Sequence, residues 1–241
     1  MRTAIISDIH GNRTAFEAVL ADLRTTSPDL ILHGGDLADS GSSPVEIVDQ
    51  IRDFGWPGVV GNTDEMLTTP SSLEDFAKAS PHLQNLFATI REMVDSTREA
   101  LGEERLAWLR NLPLQRIVTP IALVHASPRS SWHAPKLDAT GEELESLYGT
   151  LGEAIVVHGH VHRPYVRQVA GMAIVNTGSV GLSYDGDKRA SYLLLDDSEP
   201  KIRRVEYDVE KEAATLLGSN LPHAQWVVNM LRGASFQMPH A

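Results

Sequence analysis

Short apolar runs recur along the first two thirds of this chain, and a polar, often glycine-bearing loop follows each one. Ala4-Ile5-Ile6, Leu30-Ile31-Leu32, Val59-Val60, Ile121-Ala122-Leu123-Val124 and Ile155-Val156-Val157 read as buried strands. Between the first of these, residues 14–24 place Phe16, Val19, Leu20 and Leu23 at helical spacing, and Ser27-Pro28 ends that helix. A strand at 29–33 follows. Ser43-Pro44 then opens a second helix through Val45, Ile47, Val48 and Ile51, with proline at the first helical position. A third strand is predicted at 58–60. Strand, helix and strand in alternation imply a parallel α/β core.

Residues 65–113 break that rhythm. Segments 73–79, 81–100 and 103–111 look helical, with no strand among them. The plainer reading of this insertion is a packing subdomain. A cap that excludes bulky substrates is favoured, because the insertion leaves the sheet directly after the loop carrying Asn62. Beyond residue 162, short strands at 165–169, 172–175, 190–195 and 201–207 alternate with turns at Gly171 and Asp185-Gly186-Asp187. Antiparallel hairpins there would build a second sheet. Segments 209–217 and 222–231 read as helices, and 237–241 as a frayed end. No internal repeat or low-complexity linker interrupts the chain, so residues 1–241 are expected to form one domain.

Composition narrows this picture only at the edges. The 241 residues suffice for a full core, and 42% hydrophobic with 22% charged residues is ordinary for a soluble globular protein. The absence of cysteine excludes disulfides and thiolate metal sites. Met1-Arg2-Thr3 runs directly into the first strand, leaving no room for a cleavable signal, and no segment approaches a membrane span. A cytoplasmic location is the expectation. The net charge of −11 disfavours duplex nucleic acid as a partner. Bound divalent ions would reverse that field locally and admit a small phosphate ester.

The loops carry the chemistry. Asp8 and His10, Asp36, Asn62, His125, and His160 with His162 each follow a predicted strand. Open α/β sheets bind ligands beyond the carboxyl ends of their strands, so five loops can bring seven O and N donors to one edge. Carboxylate, imidazole and amide donors together suit Mn, Fe, Ni or Zn better than calcium, and seven donors are too many for one tetrahedral ion. Two divalent metals are expected. Asp36 can bridge them, since a carboxylate offers two oxygens and a negative charge. Asn62 adds a neutral oxygen and so keeps its metal strongly Lewis-acidic.

These blocks in order, Asp8-Ile9-His10, Gly35-Asp36, Gly61-Asn62, His125 and Gly159-His160-Val161-His162, resemble the calcineurin-like metallophosphoesterase superfamily. Ser7 to Asn12, His125-Ala126-Ser127-Pro128 and Asn176 to Gly181 extend the resemblance to its bacterial small-phosphodiesterase branch. The resemblance implies a four-layer αββα sandwich of two mixed β-sheets. It places Asp8, His10, Asp36 and His162 on one metal, and Asp36, Asn62, His125 and His160 on the other. It further implies hydrolysis of small phosphodiesters, nucleotides among them, by a hydroxide shared between metals ~3.5–4 Å apart, with Asp36, Asn62 and His125 at the catalytic centre. A phosphomonoesterase, a dinucleoside-polyphosphate hydrolase and a non-catalytic scaffold are the alternatives. The oligomeric state is left open.

Other residues are assigned more loosely. Asn12 and Arg13, at a helix N-terminus suited to an anion, and His133, in a loop near His125, are substrate-contact candidates. His33 and His158 read as core or ligand-supporting residues, and His82, His223 and His240 as surface. Thr63 stands where many family members carry a general-acid histidine, and Ser40 where the protein phosphatases carry a phosphate-gripping arginine. Asp64 is expected to orient a ligand histidine.

Overall fold

The computed structural model describes residues 1–239. In chain order, β1 (Arg2–Ile6), α1 (Arg13–Thr26), β2 (Leu30–His33) and α2 (Pro44–Phe54) come first. Helices α3 (Asn62–Thr68), α4 (Ser71–Ala79) and α5 (Gln84–Arg110) follow, then β3 (Gln115–Val118), β4 (Ile121–Val124), α6 (Gly141–Tyr148) and β5 (Ile155–His158). Strands β6 (Tyr165–Val169), β7 (Met172–Asn176), β8 (Ala190–Asp196) and β9 (Glu199–Val205) precede helices α7 (Val209–Leu217) and α8 (Ala224–Gly233).

The strands form two mixed sheets, ordered β2-β1-β8-β9 and β3-β4-β5-β7-β6. Alternation along each strand explains why they stack. Ile5 and Leu32 of the first sheet share a core with Leu193, Leu195, Leu123, Val157 and Val175, so one face of each sheet meets the other. The next residues along, Ala4, Ile6, Tyr192 and Leu194, turn outward onto Phe16 and Val19 of α1 and Ile47 and Ile51 of α2. Ala122, Val124 and Val156 face the opposite way, onto Leu144 and Tyr148 of α6. The result is the expected αββα sandwich. Ile5 and Leu193 are fully buried, and each such side chain contributes about 1.5–3 kcal/mol over an exposed one. A charge at Ile5 would put an unpaired ion between the sheets.

Several boundaries differ from expectation. The C-terminal hairpins do not form a sheet of their own: β6–β7 completes the sheet of β4 and β5, while β8–β9 returns to β1. Residues 58–60 make one parallel bridge, Gly58 opposite His33, with His33 N–H donating to Pro57 O and Val59 N–H to His33 O; Pro57 has no N–H with which to extend it. Strand β3 and helix α6 carry weak periodic signals and were not foreseen. The break anticipated between residues 100 and 103 exists as a kink at Gly102, where φ is 68° inside α5. Residues 237–239 lack regular structure, and the remainder of the predicted frayed end, with His240, lies outside the described residues. Among the described residues no helix is long and apolar enough to cross a membrane.

Candidate metal centre and active site

Parallel pairing of β1 with β2, and of β4 with β5, points four loops toward one edge. Asp8 and His10 follow β1, Asp36 follows β2, His125 follows β4, and His160 and His162 follow β5. Asn62 is different: it opens α3 rather than sitting in a loop. Five of these residues adopt left-handed backbone, with φ of 56° at Asp8, 50° at His10, 54° at Asp36, 69° at His160 and 54° at His162. That region costs a non-glycine residue on the order of 1–3 kcal/mol, so its concentration in two i, i+2 pairs marks a functional edge. Cross-loop bonds hold it: Asp8 N–H donates to Gly35 O at 3.0 Å and His10 N–H to Asp36 O at 3.0 Å. Gly61 and Gly159 are required by close approach, since a Cβ at either would strike the Asp36 or the Asp8 carboxylate.

Two donor sets converge here. Donor atoms of Asp8, His10, Asp36 and His162 all lie within 4.8 Å of one another, and all four residues are buried. His10 Nδ1–H donates to the carbonyl of Asp39 and His162 Nδ1–H to that of Leu182, which fixes both tautomers. Their Nε2 atoms therefore face each other at 3.2 Å. Asp8 Oδ1 lies 3.2 Å from His162 Nε2, and Asp36 Oδ2 lies 3.7 Å from His10 Nε2. Two imidazole nitrogens and two carboxylates converging on one buried point are the donor types that hold Mn, Fe, Ni or Zn, so the set fits a metal. In the second set His125 Nδ1–H donates to Gly34 O, leaving Nε2 at 3.0 Å from Asn62 Oδ1 and 3.5 Å from Asp36 Oδ2. His160 Nδ1 lies 2.7 Å from the same amide oxygen. Asp36 stands between the sets, with its other oxygen held by Thr63 N–H at 2.9 Å.

The electrostatics of the site agree with this arrangement. Burial opposes ionisation of Asp36, yet the facing His125, His10 and His160 hold it far below the usual carboxylate range. Burial likewise opposes a charge on His125, but Asp36 and Asp8 outweigh it and push its pKa up. His160 falls to about 3, through burial and then the charge of His125.

Asp64 does not orient a histidine as expected. Its carboxylate accepts N–H groups from Asp36 at 2.8 Å, Leu37 at 3.0 Å and Gly61 at 2.9 Å, so it fastens the Asp36 loop to the start of α3. Burial, then the charge of Asp36, raises its pKa to about 6. The three substrate-contact candidates are placed elsewhere. Asn12 is buried as the N-cap of α1, accepting from Ala15 N–H and donating to Gly181 O, which leaves no polar atom free. Arg13 is exposed and paired with Glu17 one helical turn on. His133 is exposed against Ser130 and Phe76, and lies outside the cavity over the donors. His33 and His158 are buried, while His82 and His223 are exposed.

That cavity has a volume of about 210 Å³ and is floored by His10, Asp36, Asn62, His160 and His162. Thr63, whose buried hydroxyl has no hydrogen-bond partner, lines it beside Asp39 and Ser40. The rest of its wall was not foreseen: Met66, Ile90, Tyr184, Trp226, Met230 and Phe236 come from α3, α5, α8 and two loops. No local motif marks those residues, because they come together only when elements distant in sequence pack around the donors. A larger surface groove of about 770 Å³ beside α6 shares no residue with the donor sets.

Residues 1–199 match the model of the calcineurin-like phosphoesterase superfamily domain. The chain belongs to that superfamily. This phosphoesterase is 31% identical over 93% of its length to an uncharacterized protein of Methanocaldococcus jannaschii, of which it covers 94%. A symmetrical bis(5′-nucleosyl)-tetraphosphatase of Aromatoleum aromaticum is 30% identical over 55% of the chain and 46% of that protein. The crystal structure of a metallophosphoesterase from Sphaerobacter thermophilus superposes with a TM-score of 0.78 at 28% identity, covering 97% of this chain and all of the other. A Pyrococcus horikoshii protein gives 0.82 at 18% identity, over 95% and 97%, a likeness of fold.

Proposed function

We propose that the phosphoesterase hydrolyses small phosphodiesters with two divalent ions, Mn, Fe, Ni or Zn, held by Asp8, His10, Asp36, Asn62, His125, His160 and His162. The observation that carries this reading is the convergence of His10 Nε2 and His162 Nε2, 3.2 Å apart, on two buried carboxylates. Divalent ions in these sets would supply an activated water and neutralise phosphoryl charge. The chain's own groups do the rest. The Asp39, Leu182 and Gly34 carbonyls fix the imidazole tautomers, and Thr63 N–H with Asp64 fixes Asp36 between the sets. The Thr63 hydroxyl offers the substrate a hydrogen bond but is too weak an acid to protonate a poor leaving group.

A diester is favoured over a polyphosphate because, among the described residues, no lysine or arginine lines the cavity. A phosphatase specific for phosphoproteins lacks support for the same reason, Ser40 standing at the gripping position. Helices α3 to α5 contribute Met66 and Ile90 to the cavity wall, which supports the cap reading of that insertion. A probable cyclic nucleotide phosphodiesterase of a Synechococcus strain, 27% identical over 62% of the chain, is consistent with diester chemistry. The test is metal content followed by a panel of chromogenic mono- and diesters. A protein that holds two metals and prefers monoesters would refute the diester assignment, and one that holds none would return the scaffold reading.

A further inference from the structure

The outer wall of the cavity is aromatic and apolar, and it is built largely by the C-terminal segment. Tyr184 stacks on the candidate ligand His162 with ring centroids 4.4 Å apart and planes at 17°. Phe236 packs edge-on to Tyr184 at 5.8 Å and to Trp226 at 6.4 Å. The strand of chain carrying Phe236 is pinned on both sides. Gly186 N–H donates to Ala234 O at 2.9 Å, and Trp226 Nε1–H donates to Gln237 O at 2.8 Å. Phe236 is nevertheless 46% exposed while lining the cavity. Had it served only the core of α7 and α8, it would be buried as Val227, Val228 and Leu231 are. An ordered aromatic ring kept half open at the mouth of an active-site cavity is suited to a flat apolar partner.

Charge selects further. Two divalent ions held beside Asp8 and Asp36 would keep a positive surplus, to which one phosphoryl group could bind. Beyond the metals a second phosphate would meet Met66, Ile90, Met230 and Phe236, with no cation to receive it. We infer that Tyr184, Trp226 and Phe236 form a subsite for the aromatic substituent that stays on phosphorus in a substrate bearing a single phosphodiester group, and that this subsite disfavours polyphosphates. The inference rests on the phosphodiesterase reading and adds the identity of the organic group.

The experiment compares p-nitrophenyl phenyl phosphate with p-nitrophenyl methyl phosphate on the metal-loaded protein, because the two share a leaving group. KM for the phenyl ester should be about three- to tenfold lower, the range expected of one aromatic contact, with kcat similar. Phe236→Ala should abolish that preference by raising KM for the phenyl ester, and Phe236→Tyr should keep it. In a second readout free of turnover, phenylphosphonate should quench tryptophan fluorescence at concentrations where methylphosphonate does not, and Trp226→Phe should remove the response. Equal KM values in the wild type, or a preference untouched by Phe236→Ala, would overturn the subsite, as would faster hydrolysis of diadenosine tetraphosphate than of the phenyl diester. Failure to hydrolyse either diester would instead refute the phosphodiesterase reading itself.

Discussion

Replacing Asp36 by asparagine tests the centre of the site with almost no change in volume. Its side chain is 3% exposed, with Oδ1 bound by Thr63 N–H and Oδ2 at 3.5 Å from His125 Nε2 and 3.7 Å from His10 Nε2. In the amide, oxygen must stay on Thr63 N–H, because an NH₂ there would oppose a donor. The NH₂ then points at the two ring nitrogens, where a shared cation contact would be. The fold keeps its hydrogen bonds while the bridge loses both its charge and its second oxygen. A unit charge about 4 Å away is worth about 4 kcal/mol at an effective dielectric of 20. With part of that recovered by the amide dipole, roughly 2–4 kcal/mol of transition-state stabilisation should go, about 30- to 10³-fold in kcat/KM. The assay is diester hydrolysis at saturating metal, with metal content by elemental analysis and folding by circular dichroism. A folded variant that holds two metals and retains kcat/KM within about threefold of wild type would refute the bridging role.

Further outcomes follow from neighbouring groups. Activity should fall steeply as leaving-group pKa rises, and Thr63→His should raise rates on poor leaving groups by up to about 10²-fold more than on good ones; a flat dependence in the wild type would reveal another acid. His133, exposed beyond the cavity, is not placed to be that acid. Asp64→Asn should lower the melting temperature and weaken metal binding together, because one of three backbone donors would face an NH₂, at a cost of about 1–3 kcal/mol. His33 has no exposed surface and neither ring nitrogen has a partner, and burial, then Arg116, lowers its pKa from 6.5 to about 3. A depressed folded pKa gives stability that is present above 6.5 and lost as pH falls toward 3, roughly 2–3 kcal/mol by pH 4.5. Urea melts at pH 7 and pH 4.5 should show this loss, and His33→Leu should make it smaller; an unchanged pH difference in the variant would disprove the assignment.

The sequence alone determined the core of this protein and the members of its donor sets. Runs such as Ile121 to Val124 can only be buried on both faces, and the period-two split of Ile5 from Ala4 and Ile6 follows from strand geometry. Aspartate, histidine and asparagine placed directly after such runs must meet at the strands' carboxyl edge, so Asp8, Asp36 and His125 could be chosen from order and spacing. Other features depended on contacts distant in sequence. Whether β8 would join β1 or a separate hairpin sheet was undetermined by local pattern, since both bury the same apolar face. Asp64 could be seen as retained, but its partners, the N–H groups of Asp36, Leu37 and Gly61, are set by how α3 packs. Asn12, Arg13 and His133 stand near the ligands in sequence, yet capping, a helical ion pair and loop direction turn them away. The aromatic wall of Tyr184, Trp226 and Phe236 has no motif at all, because an apolar side chain on an amphipathic helix or a tail reads as core until the chain's return shows that one ring remains open to a cavity.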